Sequence, residues 1–165
     1  MWRQDQGNDA NFVFSENGVV FCGINLVGGN TNDDQAEWDA RLDANLNWID
    51  SNVQFYLRNN MQVFVLFCHS SPALQSNSRF FTTLFERIEQ DYSDTYFIIV
   101  HRNLVNEQQG LYDSYNSIPN LSVIVVRGSF WPPMRIQVEI DIGNAFTISA
   151  NQDTWLDEAT AIGQQ

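Results

Sequence analysis

"QVFVLFCHSSPAL", residues 62–74, runs from an apolar stretch of valine, leucine and phenylalanine into a turn carrying a histidine and two serines. A short apolar run of this kind reads as a buried strand, Gln62 to His69, and a strand buried on both faces needs cover on each. Its neighbours in the chain are built to provide that cover. Upstream, Trp38, Leu42, Leu46, Ile49, Val53 and Tyr56 recur at spacings of three and four, the signature of a long helix with one apolar face. Asn32 is the expected N-cap, with Gln35 three residues later, and Asp33 and Asp34 sit where the helix dipole favours anions. Downstream, Phe81, Leu84, Phe85 and Ile88 mark one face of a second helix that starts near Ser76 or Ser78.

Working outward, "NFVF" (11–14) and "GVVFCGINLV" (18–27) form a strand pair around Ser15-Glu16-Asn17-Gly18, because Asn-Gly favours the tight turns of hairpins. "TYFIIVH" (95–101) reads as another buried strand. A polar segment, Asn106 to Asn116, is expected to hold a third, short helix. "LSVIVVRG" (121–128), "MRIQVEIDI" (134–142) and "AFTISA" (145–150) then close the chain as an antiparallel run of strands. The middle one alternates Ile136, Val138 and Ile140 with Arg135, Gln137, Glu139 and Asp141. No repeat or linker interrupts the series, so residues 1–165 count as one domain. The core spans 10–150, and a tail, 151–165, adds an edge helix or lies across the surface. The fold class is α/β.

The charge balance excludes several partners. Twenty acidic residues face eight basic ones, all arginine, for a net charge of −12, a surface that repels nucleic-acid phosphates and anionic headgroups. No apolar run reaches the roughly 20 residues that span a bilayer, so no membrane insertion is expected. With 44% hydrophobic and 13% aromatic residues, the chain still has the material of a core. The acidic, lysine-free composition and the sequon Asn120-Leu121-Ser122 favour an extracellular or lumenal setting.

Few residues offer chemistry. Cys22 and Cys68 are each near the end of an apolar strand, and read as free buried thiols or as one disulfide between neighbouring strands; the sequence leaves both open. The close Cys-x-x-Cys and His-x-x-x-His pairings of zinc sites are missing. Ser70 or Ser71 with His69 or His101 would make a nucleophilic set, but a Ser adjacent to its His does not readily face it, and no Gly-x-Ser-x-Gly elbow is present. Asp33, Asp34 and Glu37 form a solvated acidic face, or a weak cation site. "GSFWPPM" (128–134) places Phe130, Trp131, Pro132 and Pro133 in a stiff apolar loop, which covers the core or, exposed, anchors a partner.

The succession "NFVFSENGVVFCGINLVGG" (11–29), "EWDARLDANLNWI" (37–49), "VFVLFCHSSP" (63–72), "TYFIIVH" (95–101) and "RIQVEIDI" (135–142) resembles the C-terminal two-thirds of a calcineurin-like metallophosphoesterase domain, over residues 10–150. That resemblance implies a two-sheet sandwich of mixed sheets with flanking helices, here incomplete, and a pair of metal ions. His69 matches the family's lone histidine ligand at a strand end. His101, with Asn103, falls at the later Gly-His-x-His or His-Gly-Asp-x-His motif, which here reads Val100-His101-Arg102-Asn103, with a cation at Arg102. The earlier Asp-x-His and Gly-Asp motifs are missing, and Gly29-Asn30-Thr31 is all that remains of Gly-Asn-His.

A two-metal hydrolase needs a cluster of carboxylates and imidazoles to fix ions about 3.5 to 4 Å apart. The expectation is therefore no cofactor and no catalytic residue, with His69, His101 and Asn103 as relics of a metal site. The function implied is a non-catalytic structural or interaction subunit that pairs with other subunits, or with itself, through an open sheet edge left by the missing strands. The alternative is a metal-dependent phosphoesterase half-domain completed by another chain or a removed N-terminal segment, with His69 as one ligand.

Overall fold

A computed structural model describes residues 2–3, 10–26, 35–102, 107–127, 134–140 and 146–151. The expected hairpin is β2 (Phe12–Glu16) and β3 (Val19–Gly23), paired in register with Glu16 opposite Val19. Its two turn residues, Asn17 and Gly18, hold φ of 49° and 80°, the left-handed pair that matches the twist of a hairpin. A two-residue strand, β1 (Trp2–Arg3), lines the outer edge of β2.

From β3 the chain enters α1 (Gln35–Leu57), returns as β4 (Val63–Phe67), enters α2 (Ser78–Gln90) and returns as β5 (Tyr96–Arg102). β3, β4 and β5 are parallel neighbours, the arrangement that helical crossovers produce. β7 (Leu121–Val126) extends this parallel set beside β5, and β6 (Gly110–Tyr112) pairs antiparallel on the far side of β7. The sheet order is β1-β2-β3-β4-β5-β7-β6. The architecture is mixed α/β, a mixed sheet with flanking helices.

The expected third helix is not formed among the described residues of its segment. β6 takes its place, followed by a 3₁₀ turn at Tyr115–Ser117. Ser114, Asn116 and Ser117 hold φ of 48°, 53° and 64°, left-handed values that no α-helix continues through, while the open side of β7 offers β6 a ladder. The closing strands also depart from the expected antiparallel run. β7 lies inside the main sheet parallel to β5, and only β8 (Arg135–Ile140) and β9 (Phe146–Asn151) pair with one another, as a separate two-stranded sheet.

The alternation of each strand divides the core in two. Val13, Val20, Cys22, Phe64, Leu66, Phe97, Ile99, Leu121, Val123 and Val125 point to the helices, meeting Leu42, Leu46, Ile49 and Val53 of α1 and Phe80, Phe81, Leu84 and Ile88 of α2. Val19, Val63, Val65, Ile98, Val100 and Ile124 point the other way, against Ile136, Val138 and Ile148 of the hairpin. Polar contacts brace the two helices. Trp38 Nε1 donates to Ser76 O at 3.2 Å, and Arg79 reaches Asp43 at 2.9 Å.

Both cysteines are free thiols. Burial pushes each up to about 12, so both stay protonated and unreactive at neutral pH.

Candidate functional site

The parallel strands β3, β4, β5 and β7 end on one side of the sheet, where open α/β sheets place their ligands. A crevice of about 380 Å³ lies there. Gly23 and Ile24 follow from β3, Phe67, Cys68 and His69 from β4, Val100, His101 and Arg102 from β5, and Val126 from β7. The strand ends are fixed by backbone bonds: Ile24 N–H donates to Phe67 O at 3.0 Å, Cys68 N–H to Val100 O at 3.0 Å, and His69 N–H to Leu26 O at 3.2 Å.

His69 and His101, 32 positions apart in the chain, thus line one crevice. Their surroundings differ. His69 is exposed, whereas His101 is 1% exposed. Nδ1 of His101 lies 2.8 Å from Arg102 O; a carbonyl only accepts, so this nitrogen carries the proton and donates. Nε2 lies 3.8 Å from Glu107 Oε1, beyond hydrogen-bond reach, and has no hydrogen-bond partner among the described residues. Burial lowers the pKa of His101, outweighing the raising influence of the Arg102 carbonyl and of Glu107. The ring is neutral at pH 7.

Ser71 Oγ donates to Glu107 at 2.9 Å, and Ser70 Oγ accepts from Asn77 Nδ2 at 2.6 Å. Both hydroxyls are committed to groups other than histidine, so no Ser-His pair is assembled. Glu107 was not singled out by sequence reasoning. It follows β5 in a polar stretch without periodicity, and only the return of that stretch beside His101 reveals it.

The donors among the described residues do not by themselves make up a two-metal centre. Among the described residues no group of three or more His, Cys, Asp or Glu side chains converges. Arg102 is exposed at the crevice, where its guanidinium opposes a dication. Glu37 is exposed and paired with Arg41 at 2.7 Å. Asp33, Asp34, Asn103, Phe130, Trp131, Pro132, Pro133 and the tail 152–165 lie outside the described residues.

The sequon has a different outcome. Asn120 Nδ2, the atom a glycan would occupy, donates into a cage of three carbonyls, Ile88 at 3.2 Å, Tyr92 at 3.1 Å and Thr95 at 2.9 Å. It ties α2 to the start of β7. In the folded chain this nitrogen has a structural use that glycosylation would break. No helix among the described residues is long and apolar enough to cross a membrane.

Comparison with family models, with curated proteins and with solved structures returns no match to this chain.

Proposed function

We propose that the chain is a non-catalytic, metallophosphoesterase-like protein acting as a structural or interaction subunit of a larger assembly, with protein as its partner rather than nucleic acid. The observation that carries this reading is the composition of the crevice. Two imidazoles stand beside a guanidinium, and the buried one is locked by its neighbour's carbonyl with its proton on Nδ1. Such a set holds a shape without holding the ions that hydrolysis of a phosphoester requires. The second sheet supports the same reading, because among the described residues two strands cover part of one face of a seven-stranded sheet.

The test is a metal and activity assay on the purified chain and on the assembly isolated with it. The expected result is no stoichiometric Mn, Fe or Zn and no hydrolysis of bis(nitrophenyl) phosphate above buffer. Stoichiometric metal lost in His69→Ala together with hydrolysis would overturn the proposal in favour of the half-domain reading, in which another chain supplies the remaining ligands.

A further inference from the structure

At the opposite ends of the parallel strands lies a second, smaller pocket, about 230 Å³ in volume. Met61 and Gln62 line it just before β4, Ser93, Asp94 and Thr95 between α2 and β5, Tyr96 at the first position of β5, and Asn120 just before β7. Each of these residues sits in a stretch described without a break, 35–102 or 107–127. The crevice and its histidines are at the far end of the sheet and play no part here.

The pocket gathers oxygen acceptors that the fold holds in place. Asn120 gives its Nδ2 to the carbonyls of Ile88, Tyr92 and Thr95, which turns the Oδ1 of the same planar amide away from them. Thr95 has its backbone committed, its N–H to Tyr92 O at 3.0 Å and its carbonyl to Asn120 at 2.9 Å. The residue is 1% exposed, yet its Oγ1 has no hydrogen-bond partner among the described residues. A hydroxyl buried in that state costs free energy until a partner reaches it. Asp94, beside it and exposed, adds a carboxylate.

Electrostatics and size select the ligand. The last turn of α2 abuts Asn120 through Ile88 O, so the negative end of the helix dipole lies beside the pocket. Glu89 and Asp91 add charge of the same sign at that helix end, while Arg87, the basic residue of the last turn, reaches instead to Asp50 of α1 at 3.6 Å. No arginine or histidine is among the described lining residues. The site therefore favours a cation. A single water needs about 10–15 Å³, so the pocket is roomy for a bare ion, and its one carboxylate is a poor start on the six to eight oxygens that calcium takes.

We propose that this pocket binds a primary ammonium on a short alkyl stem. The three N–H groups of the ammonium match Asp94, Asn120 Oδ1 and Thr95 Oγ1, and the stem lies against Met61 and Tyr96. The chain has no lysine, so the ligand is a free amine or the lysine side chain of another polypeptide.

The test is an amide-resolved NMR titration of the whole chain at pH 7 and constant ionic strength, with n-butylamine, Nα-acetyl-lysine methylamide, n-butanol and calcium chloride. Expected are saturable shifts at Ser93–Tyr96 and at the Asn120 side chain with both amines, and binding of butanol weaker by about tenfold or more. Either order of affinity between the two amines supports the proposal and names the source. Asp94→Asn, at an exposed position, should weaken amine binding about tenfold. Thr95→Val should weaken it about threefold while the urea midpoint stays at or above that of the parent, since the variant removes a hydroxyl left without a partner.

Absence of saturable shifts with either amine, equal binding of butanol, or full affinity in Thr95→Val overturns the proposal. Calcium chloride that reproduces the amine shifts also overturns it, by showing an attraction for any cation. Metal and hydrolysis at the crevice would bear on the proposed function alone and leave these results standing.

Discussion

The ring of Phe12 lies across the backbone of Gly23, its direct register partner on the next strand. A Cβ placed on Gly23 would come within 2.7 Å of Phe12 Cδ1 and nearer still to Cε1 and Cζ. The glycine is thus required by close approach, not by backbone conformation, and it allows one aromatic side chain to border the crevice while stacking on Phe14. Gly23→Ala is expected to destabilise by about 1–3 kcal/mol, the usual cost of overfilling a packed site. Urea denaturation of the single variant and of Phe12→Leu/Gly23→Ala checks the cause. The double variant should recover part of the loss, and strict additivity would show that the ring is not responsible.

Asn120 makes a sharper case, because all three atoms facing its amide nitrogen are acceptors. Asn120→Ala leaves carbonyls at the end of α2 and the start of β5 short of a donor, at a cost of about 1–3 kcal/mol. Asn120→Asp should cost more, since a carboxylate would stand against three carbonyl oxygens. Equal loss in the two variants would mean that the cage is not what the asparagine contributes. Secretion of the chain through a glycosylating compartment should leave Asn120 unmodified in the folded product, as mass spectrometry of the peptide would show.

Asn11, Asn25 and Asn45 join β2, the strand end after β3 and α1 through polar contacts in the core. Asn11 Nδ2 donates to Asn45 Oδ1 at 2.8 Å, Asn25 N–H to Asn11 Oδ1 at 2.6 Å, and Asn45 Nδ2 to Asn25 O at 3.2 Å. Both Asn11 and Asn45 are fully buried. Replacing Asn45 by leucine keeps the branched shape but strips partners from a buried amide and a carbonyl, with an expected loss of about 1–3 kcal/mol. Asn47→Ala, on the exposed side of α1, should stay within about 0.5 kcal/mol of the parent. Thermal denaturation compares them, and indistinguishable midpoints would remove the network's claim to stability.

What could be read in advance follows from the range over which each signal acts. The strand at 63–67, the two helices and the Asn17-Gly18 turn depend on patterns within a few residues, and all appear close to expectation, while the expected Asn32 cap of α1 lies outside the described residues. His69 and His101 were found because each ends an apolar run, and parallel strands necessarily finish on one side. β6 was hidden because three residues beginning with Gly110 carry no periodicity, and its stability comes from the free side of β7. The asparagine network and Glu107 were hidden for a related reason. Polar residues are expected at the surface, and only contacts across 34 and 36 positions make burying them favourable.

His101 titrates below its ordinary 6.5 in the folded chain because burial disfavours the imidazolium, against the smaller opposing pulls of the Arg102 carbonyl and Glu107. The unfolded chain therefore takes up this proton first as pH falls. The neutral ring's contribution is complete above about pH 6.5 and is lost progressively below it, toward the depressed folded pKa. The groups facing the ring set this balance. Glu107 is 3.8 Å from Nε2 and also accepts from Ser71, so it is held nearby rather than turned to solvent. His101→Asn keeps a donor near the Arg102 carbonyl and removes the titration. Chemical denaturation from pH 8 to pH 5 should show a smaller fall in stability for His101→Asn than for the parent, with the two curves diverging only below about pH 6.5. Parallel curves across that range, or a parent that gains stability relative to the variant on acidification, would show that Glu107 outweighs burial and that His101 becomes a charged partner in the fold.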